Sequence, residues 1–573
     1  MAPTSLSLAS VERRELFWFF AVALLVLGAG FGLRDPWPAD EPRFVLVAKQ
    51  MVDSGQWLFP HRGIELYADK PPLYFWLLAA CHRLIGSWRW SFLLPSLLAG
   101  LGTLWLVQDL GRRLWNHRAG LLAAIAVLSA LQFAYQFKRA QIDPTLVAVT
   151  TLSFYALCRH VLLGDGWRWY WLACFAAGIG VILKGVGFLP LFALLPYALM
   201  RRRGWQGLAP LGSANHWRWL VGLAAMLAAV ALWLVPMVLV ALAGGDPEHR
   251  AYLDNLLFKQ TATRYTEAWH HLQPAWYFLA VIALFWLPLS LAFPWLARDW
   301  REAWRQRDAR VWLPLSWGLL VLVFFSASPG KRDMYILPAL PAFALAAAPF
   351  LDGLLQRDSF LRALRGFSIL LGALLFGVGL AALIGSPGFV QKLVLERGLG
   401  PEVRWLWLML ALVGALGLLA SLLPGRRGAL VGTALLLIGV WCGYGFVAHP
   451  VLDPSSSSSA LMRQARRIAG PDRQIGLVQW KEQNLLQAVG PTTEFGFRQP
   501  AAEQLRRAVA WLDADPDHRR VMFSQPRDKP GCLSGMARHA QLLGVANRRN
   551  WYLADRAAIS SQCFGGGLVD PTP

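Results

Sequence analysis

The sequence predicts an all-α polytopic membrane protein of about thirteen transmembrane helices, followed by a small α/β soluble domain. Of the 573 residues, 56% are hydrophobic and only 16% are charged, whereas soluble domains carry about 25% charged residues. Apolar runs of membrane-spanning length recur from residue 16 to residue 447. Beyond Pro454 the chain becomes polar, which predicts a transmembrane domain over residues 1–449 and a soluble domain over residues 450–573.

The first apolar run, residues 16–33, sets the predicted orientation. Arg13 and Arg14 precede it and no small-residue cleavage site follows, so we interpret it as an uncleaved helix with a cytoplasmic N-terminus. Further spans are predicted at 91–110, 119–136, 145–163, 169–184, 186–200, 219–243, 276–297, 311–328, 335–351, 367–385, 405–423 and 429–447. Arginine-rich loops follow alternate spans and are predicted to lie inside, which places the C-terminus outside.

The apolar segment 71–86 is predicted not to span the membrane. It begins with Pro71 and Pro72 and is short, as expected of a re-entrant or interfacial helix. Counting it as a span would place the basic loops outside, against the rule that positive loops face the cytoplasm. The first loop, residues 34–90, is therefore expected on the periplasmic face of a bacterial inner membrane.

The C-terminal region alternates predicted strands with predicted helices. Ser455 to Ser459 is interpreted as a linker. Strands are predicted at 475–480, 520–524 and 550–554, and helices at 481–489 and 500–512. This alternation favours an α/β domain, and no glycine-rich nucleotide motif accompanies it. Cys532 and Cys563 could pair if this region is periplasmic.

The formal net charge of +21 raises the question of a nucleic-acid partner. Lysine and arginine cluster in short loops between apolar runs, which is the pattern that orients membrane proteins. We therefore expect no nucleic-acid binding, and expect the lipid bilayer to be the main partner of this surface.

Ionisable residues gather on the predicted outer face, near the ends of apolar runs. They are Asp40, Glu41, Arg43, Asp69, Lys70, Lys138, Arg139, Asp143, Lys184, Lys259, Arg264, His270, His271, Lys331, Arg332 and Asp333. Structural explanations exist for single members, because lysine and arginine snorkel to headgroups and Asp143 could cap a helix. Lys184 is harder to explain in this way, since apolar residues flank it on both sides and it needs an anion or water.

Together these residues have a chemical logic. Several cations at one face suit a phosphate group, whose oxygens accept charge-assisted hydrogen bonds from lysine and arginine. A carboxylate among them can act as a general base or stabilise developing positive charge. Departure of a glycosyl phosphate needs both functions. Since no sugar nucleotide is expected outside the inner membrane, the predicted donor is a lipid-linked sugar.

The motifs resemble those of GT-C membrane glycosyltransferases, in the bacterial branch that contains protein O-mannosyltransferase-like enzymes and lipid A aminoarabinose transferases. The resemblance is carried by Asp40-Glu41-Pro-Arg43, Tyr67-Ala-Asp69-Lys70-Pro-Pro-Leu-Tyr, Arg139-Ala-Gln-Ile-Asp143, Leu183-Lys184-Gly, His271-Leu-Gln-Pro274-Ala-Trp276-Tyr277 and Lys331-Arg332-Asp-Met-Tyr335. The ordered motifs extend from about residue 34 to residue 340. The resemblance does not extend through residues 455–573.

The resemblance implies that Asp40 is the catalytic carboxylate. It implies substrate or phosphate contacts from Glu41, Arg43, Asp69, Lys70, Arg139, Asp143, Lys184, Arg264, His271, Lys331, Arg332 and Tyr335. Asp69 stands where the family has glutamate, an acid that some relatives combine with a histidine to bind a metal. We expect no cofactor and no essential metal here, although a divalent ion is compatible with the site.

The resemblance further implies inverting transfer of a sugar from an undecaprenyl-phosphate-linked donor to a periplasmic acceptor. The favoured reaction moves 4-amino-4-deoxy-L-arabinose to lipid A, and the protein is expected to act as a monomer. Transfer to a protein hydroxyl or another envelope glycan stays open, and so does a lipid-sugar transporter. A transporter is less favoured because it would keep ionisable residues near the bilayer midplane and show paired broken helices.

Overall fold

The computed structural model describes residues 5–210, 216–256, 272–385, 387–526, 540–546 and 549–559. Helices dominate the chain up to residue 469. In order they are α1 (Ser5–Gly28), α2 (Glu41–Ser54), α3 (Leu73–Ile85), α4 (Trp88–Ser91), α5 (Leu94–Leu114), α6 (His117–Ser129), α7 (Leu131–Phe137), α8 (Ile142–Val161), α9 (Trp167–Lys184), α10 (Leu194–Arg202), α11 (His216–Ala243), α12 (Pro247–Asp254), α13 (Tyr277–Phe285), α14 (Phe293–Arg305), α15 (Ala309–Ala327), α16 (Ala339–Leu354), α17 (Asp358–Ile384), α18 (Gly388–Arg397), α19 (Val403–Ser421), α20 (Gly425–Gly443), α21 (His449–Ser456) and α22 (Ser459–Ala469). Short 3₁₀ helices lie at Leu189–Ala193, Leu289–Ala292 and Asp333–Ile336, and a π-helical turn lies at Tyr444–Ala448.

Many of these helices are long and apolar enough to cross a membrane. Within the described ranges, six helical stretches meet both criteria, and two bent helix pairs raise the number to eight. The six are Trp88–Leu114, His216–Ala243, Ala309–Ala327, Asp358–Ile384, Val403–Ser421 and Gly425–Ser456. The protein is therefore a multi-pass membrane protein, and several of the thirteen runs predicted from sequence form shorter or broken helices.

Two predicted spans, 119–136 and 276–297, are sharply bent. The first divides into α6 and α7 at an angle of 70°, and the second bends by 102° after α13. Pro288 lies at the second bend, where proline removes a backbone donor and disfavours helix. The two bends meet, because the N–H of Leu131 donates to the carbonyl of Leu287 at 3.1 Å.

The first loop contains α2, a small hairpin and α3. The hairpin pairs β1 (His61–Arg62) with β2 (Glu65–Leu66) in antiparallel register. Helix α3 has 13 residues and, at about 1.5 Å per residue, reaches only about 20 Å, which is less than the hydrocarbon thickness of about 30 Å. A short helix therefore occupies the segment 71–86 that was predicted not to span.

The prediction of a serine linker at residues 455–459 is wrong. Ser455 and Ser456 end α21, Ser459 begins α22, and all five serines are buried. Small hydroxyl side chains pack at this junction, where Ser457 Oγ donates to the carbonyl of Asp453 at 2.9 Å. The last membrane helices therefore continue directly into the C-terminal part through a packed turn.

The C-terminal part contains a five-stranded mixed sheet with the order β4-β3-β5-β7-β6. Its elements are β3 (Gln474–Val478), α23 (Glu482–Leu486), β4 (Thr492–Glu494), α24 (Ala501–Asp513), β5 (Arg519–Pro526), β6 (Gln541–Ala546) and β7 (Arg549–Ala554). Strand β3 is parallel to β4 and β5, whereas β7 is antiparallel to β5 and β6. The three predicted strands and two predicted helices overlap observed elements, and β4 and β6 escaped prediction.

The sheet packs against the first loop rather than standing apart from it. One hydrophobic cluster joins Phe44 and Tyr67 of the first loop with Leu477 of β3 and Trp551 of β7. Because this cluster is shared, part of the apolar surface of each side is buried only in contact with the other, although a second cluster around Leu505 and Phe523 lies within the C-terminal part. The sheet therefore forms part of the support of the first loop.

Candidate active site

Asp40 lies immediately before α2, and two distant segments and the neighbouring Arg43 converge on its carboxylate. Its Oδ2 accepts hydrogen bonds from Gln141 Nε2 at 3.1 Å and from Arg332 Nη2 at 3.2 Å. Its Oδ1 lies 3.7 Å from Arg43 Nη1. The side chain does not cap its own helix and is 15% exposed. Asp40 is therefore held by polar partners at the edge of the protein interior.

The surrounding charges fix the protonation state of Asp40. Burial alone would raise the pKa of this carboxyl, because the charged form loses water. The positive charges of Arg332 and Arg43 outweigh burial and hold the pKa of Asp40 below its ordinary value. Asp40 is consequently ionised at neutral pH, and a carboxylate with a lowered pKa is a weaker general base than an ordinary one.

Glu41, the next residue, is engaged inside the protein. Its carboxylate forms a two-pronged ion pair with Arg34 and accepts the N–H groups of Trp37 at 2.7 Å and Ala140 at 3.0 Å. The Glu41 side chain is 1% exposed. Burial would raise the pKa of Glu41, and the charge of Arg34 more than reverses this effect. Internal donors thus occupy both carboxylate oxygens of Glu41, and its substrate contact stays a prediction.

A second ion pair joins the first turn of α8 to the last residue of α9. Lys184, the last residue of α9, lies with its Nζ 2.6 Å from Oδ1 of Asp143 in the first turn of α8. The same ammonium lies 4.8 Å from the centre of the Tyr335 ring. The predicted need of Lys184 for an anion is thus met by Asp143. The Lys184 side chain is 20% exposed, whereas Asp143 is buried.

The segment that carries Arg332 and Tyr335 is anchored by the two helix bends. Gln132 accepts a hydrogen bond from the Trp286 indole at 2.8 Å and donates to the carbonyl of Asp333 at 2.7 Å. This arrangement fixes the 3₁₀ helix Asp333–Ile336. Arg332 and Tyr335 therefore join the Asp40 group and the Lys184 group into one polar site.

Lys331 belongs to the same segment but does not face the Asp40 carboxylate. Its ammonium donates to the carbonyls of Gln273 at 3.0 Å and Ser328 at 2.6 Å, and its side chain is 5% exposed. Backbone oxygens therefore satisfy this charge. The phosphate contact of Lys331 stays a prediction.

Of the remaining predicted cations, Arg139 acts on Asp40, Lys70 lies in the first loop, and others lie outside the described residues. Arg139 Nη1 donates to the Tyr135 hydroxyl at 3.3 Å, and its charge also lowers the pKa of Asp40, after those of Arg332 and Arg43. Lys70 is half-buried directly before α3. Arg264 and His271 lie outside the described residues, as do Cys532 and Cys563.

The acid at position 69 has a basic partner. Asp69 Oδ1 lies 3.3 Å from Arg498 Nη2 of the C-terminal part. In the ranges that the structure describes, no group of three or more His, Cys, Asp or Glu side chains could hold a metal ion. The described surroundings of Asp69 thus fit an ion pair.

Sequence reasoning missed several residues that shape the site. Gln141 lies inside a recognised motif, where its position between Arg139 and Asp143 was the available signal. Glu482 contacts Arg43 with an Oε1–Nε distance of 2.9 Å, although the two residues are separated by 439 positions. No sequence signal connected them, since the motifs ended near residue 340.

Known proteins share this sequence pattern. A family model described as Dolichyl-phosphate-mannose-protein mannosyltransferase matches residues 69–235. The chain is 30% identical to the undecaprenyl phosphate-alpha-4-amino-4-deoxy-L-arabinose arabinosyl transferase of Pseudomonas paraeruginosa, over 71% of this chain and 70% of that relative. The enzyme of the same description from Pseudomonas aeruginosa strain PAO1 is also 30% identical, over 69% of this chain and 68% of the relative.

The fold is shared with solved structures of similar length. ArnT from Cupriavidus metallidurans bound to undecaprenyl phosphate superposes with a TM-score of 0.73 at 21% identity, covering 95% of this chain and 98% of that chain. Its apo state superposes with a TM-score of 0.72 at 20% identity, covering 96% and 99%. Fold and site together define a membrane glycosyltransferase of the GT-C type. Within this class, the chain belongs to the family of undecaprenyl phosphate-alpha-4-amino-4-deoxy-L-arabinose arabinosyl transferases. The family resemblance predicted from the motifs is thereby confirmed.

Proposed function

We propose that this protein transfers 4-amino-4-deoxy-L-arabinose from an undecaprenyl-phosphate-linked donor to lipid A, with inversion at the anomeric carbon. The names of the relatives support the donor and the sugar. The observation that carries the choice of acceptor is the ionised Asp40, whose pKa is held low by Arg332 and Arg43. A phosphate acceptor is already anionic and needs no general base, whereas a hydroxyl acceptor does.

In the proposed reaction, an acceptor phosphate oxygen attacks the anomeric carbon of the sugar from the face opposite the leaving group. The bond from that carbon to the donor phosphate breaks, and its electron pair stays on the phosphate oxygen of undecaprenyl phosphate. Lys184, Lys70 and Arg332 are proposed to stabilise this oxyanion. Asp40 is proposed to stabilise the positive charge that develops on the sugar, and Arg43 to orient a phosphate.

The other predicted contacts have supporting parts in this proposal. Arg139 and Tyr335 are proposed to line the sugar and phosphate site, and Asp143 to hold Lys184. Glu41, Lys331 and Asp69 are proposed to fix the loops that carry these groups. Arg264 and His271 stay predicted substrate contacts.

The arrangement in the membrane is also a proposal. We infer about thirteen spans, counting broken helices, over residues 1–449, with the N-terminus in the cytoplasm. The first loop and the α/β domain of residues 450–573 would face the periplasm of a bacterial inner membrane. The basic loops between alternate apolar runs support this orientation. The protein is proposed to act as a monomer.

A comparison of lipid A mass spectra tests the proposal. Cells that produce the wild-type protein are expected to carry an aminoarabinose mass increment on lipid A. Cells without the gene, or with Asp40→Asn at equal membrane abundance, are expected to lack it. An aminoarabinose increment that persists with Asp40→Asn would contradict the proposed role of Asp40. Identical lipid A spectra from wild-type cells and cells without the gene would contradict the proposal that lipid A is the acceptor.

A second candidate is transfer to a protein hydroxyl, which the mannosyltransferase family match over residues 69–235 favours. In that reaction Asp40 would have to remove a proton from the acceptor. Modified periplasmic proteins would then accumulate instead of modified lipid A.

A further inference from the structure

The C-terminal part reaches the proposed active site through a buried carboxylate. Glu482 is the first residue of α23, and its side chain is 6% exposed. Its Oε1 accepts a hydrogen bond from Arg43 Nε at 2.9 Å and lies 3.4 Å from Arg62 Nη1. One buried anion is thus shared by two arginines of the first loop.

The contact fixes the orientation of Arg43. Glu482 binds the Nε edge of the guanidinium, and Nη1 lies 3.7 Å from Oδ1 of Asp40. A planar guanidinium held at one edge has little freedom to rotate. Glu482 therefore determines which N–H groups of Arg43 face the Asp40 carboxylate.

The surroundings keep Glu482 itself in place. Arg62 is 7% exposed, and its guanidinium lies 3.8 Å from the centre of the Phe497 ring. Nearby, Glu494 accepts the N–H of Ile64 at 2.6 Å, and the N–H of Arg498 donates to Glu65 at 3.1 Å. These bonds connect the hairpin of the first loop to the sheet on both sides of Glu482.

We propose that Glu482 is a positioning residue for Arg43, so that the C-terminal part completes the active site of the first loop. This inference rests on the proposed glycosyl transfer and deepens it. Removal of the Glu482 charge would leave Arg43 without the anion that holds its Nε edge. The guanidinium would then turn towards Asp40, its remaining close carboxylate, and away from a substrate phosphate.

A double-mutant cycle tests the inference on the full-length protein. Glu482→Gln is expected to lower the kcat of sugar transfer roughly tenfold or more, because coupled charged groups depend strongly on each other. In an Arg43→Gln background, Glu482→Gln is expected to have little further effect on kcat. Glu482→Asp is expected to restore part of the rate, since it returns the charge.

The matched control is Glu503→Gln in α24, an acid that pairs with Arg507 on the surface of the same sheet region. This variant is expected to keep the wild-type kcat and thermal unfolding midpoint. Additive effects of Glu482→Gln and Arg43→Gln on kcat would overturn the positioning role. So would a Glu482→Gln variant with the wild-type rate.

Hydrogen exchange separates this inference from the proposed function. A wild-type protein that transfers no aminoarabinose would refute the function alone. Glu482→Gln is still expected to speed amide exchange in residues 43–45, which lie in the first turns of α2, relative to Glu503→Gln. Equal exchange in the two variants would overturn the inference whichever sugar is transferred.

Discussion

Replacement of Glu41 by glutamine tests whether this buried acid fixes the first loop. Each carboxylate oxygen of Glu41 accepts two donors: Oε1 takes Arg34 and the N–H of Ala140, and Oε2 takes Arg34 and the N–H of Trp37. A glutamine amide group replaces one oxygen with a donor. Glu41→Gln therefore leaves two N–H groups without an acceptor and the Arg34 charge without a counterion.

Breaking one partner of a buried ion pair costs about 3–5 kcal/mol. We therefore expect Glu41→Gln to lower the thermal unfolding midpoint of the purified protein markedly, measured by tryptophan fluorescence in detergent. Asp53→Asn is the control, because Asp53 pairs with Lys49 on the exposed face of the same helix. Exposed pairs of this kind contribute about 0–1 kcal/mol.

The Glu41–Arg34 pair also predicts the direction in which stability changes with pH. Burial raises the pKa of Glu41 and the charge of Arg34 lowers it further than burial raises it, so the folded pKa lies below the unfolded one. The stabilisation is therefore complete above the unfolded pKa of about 4.3 and is lost as the pH falls through the folded pKa. A Glu41→Gln midpoint equal to that of Asp53→Asn at neutral pH would refute the reasoning.

Two further predictions concern the charges around the site. Arg332→Gln removes the positive charge that lowers the pKa of Asp40 most strongly, so the acid limb of the pH–rate profile is expected to move to higher pH. An acid limb that stays in place would show that Arg332 does not act on Asp40. Asp143→Asn removes the anion 2.6 Å from Lys184 and is expected to cost about 1.5–3 kcal/mol of stability and to lower kcat/KM. In a Lys184→Met background the same change should have little further effect on kcat/KM, and full additivity would contradict a shared function.

The membrane made much of the fold predictable. A hydrocarbon layer of fixed thickness imposes a length on each crossing helix, so apolar runs such as 219–243 and 405–423 correspond closely to observed helices. The two helix bends could not be predicted from the lengths of the apolar runs. Pro288 was a visible signal for the second bend, whereas the contact of Leu131 with Leu287 joins segments far apart in the chain and leaves no trace in composition.

Candidate site residues could be predicted where an ionisable side chain lies in or beside an apolar run, because a charge is energetically costly there. Lys184 and Asp143 stood out because each lies at the end of an apolar run, and the structure pairs them. Burial was not predictable, so the internal partners of Glu41 and Lys331 could not be foreseen from the sequence. Serines 455–459 misled for a related reason, since small polar residues are as suitable for a packed turn as for a linker.

The first loop depends for one of its hydrogen bonds on a segment of the chain that is synthesised much later. The N–H of Asp35 donates to Asp453 Oδ1 at 2.9 Å, across 418 positions of the chain. At ribosomal rates of about 5–20 residues per second, the first loop waits roughly 20–80 s for that partner. A nascent chain interrupted after α20 would thus carry the motifs of the first loop and still lack a finished loop.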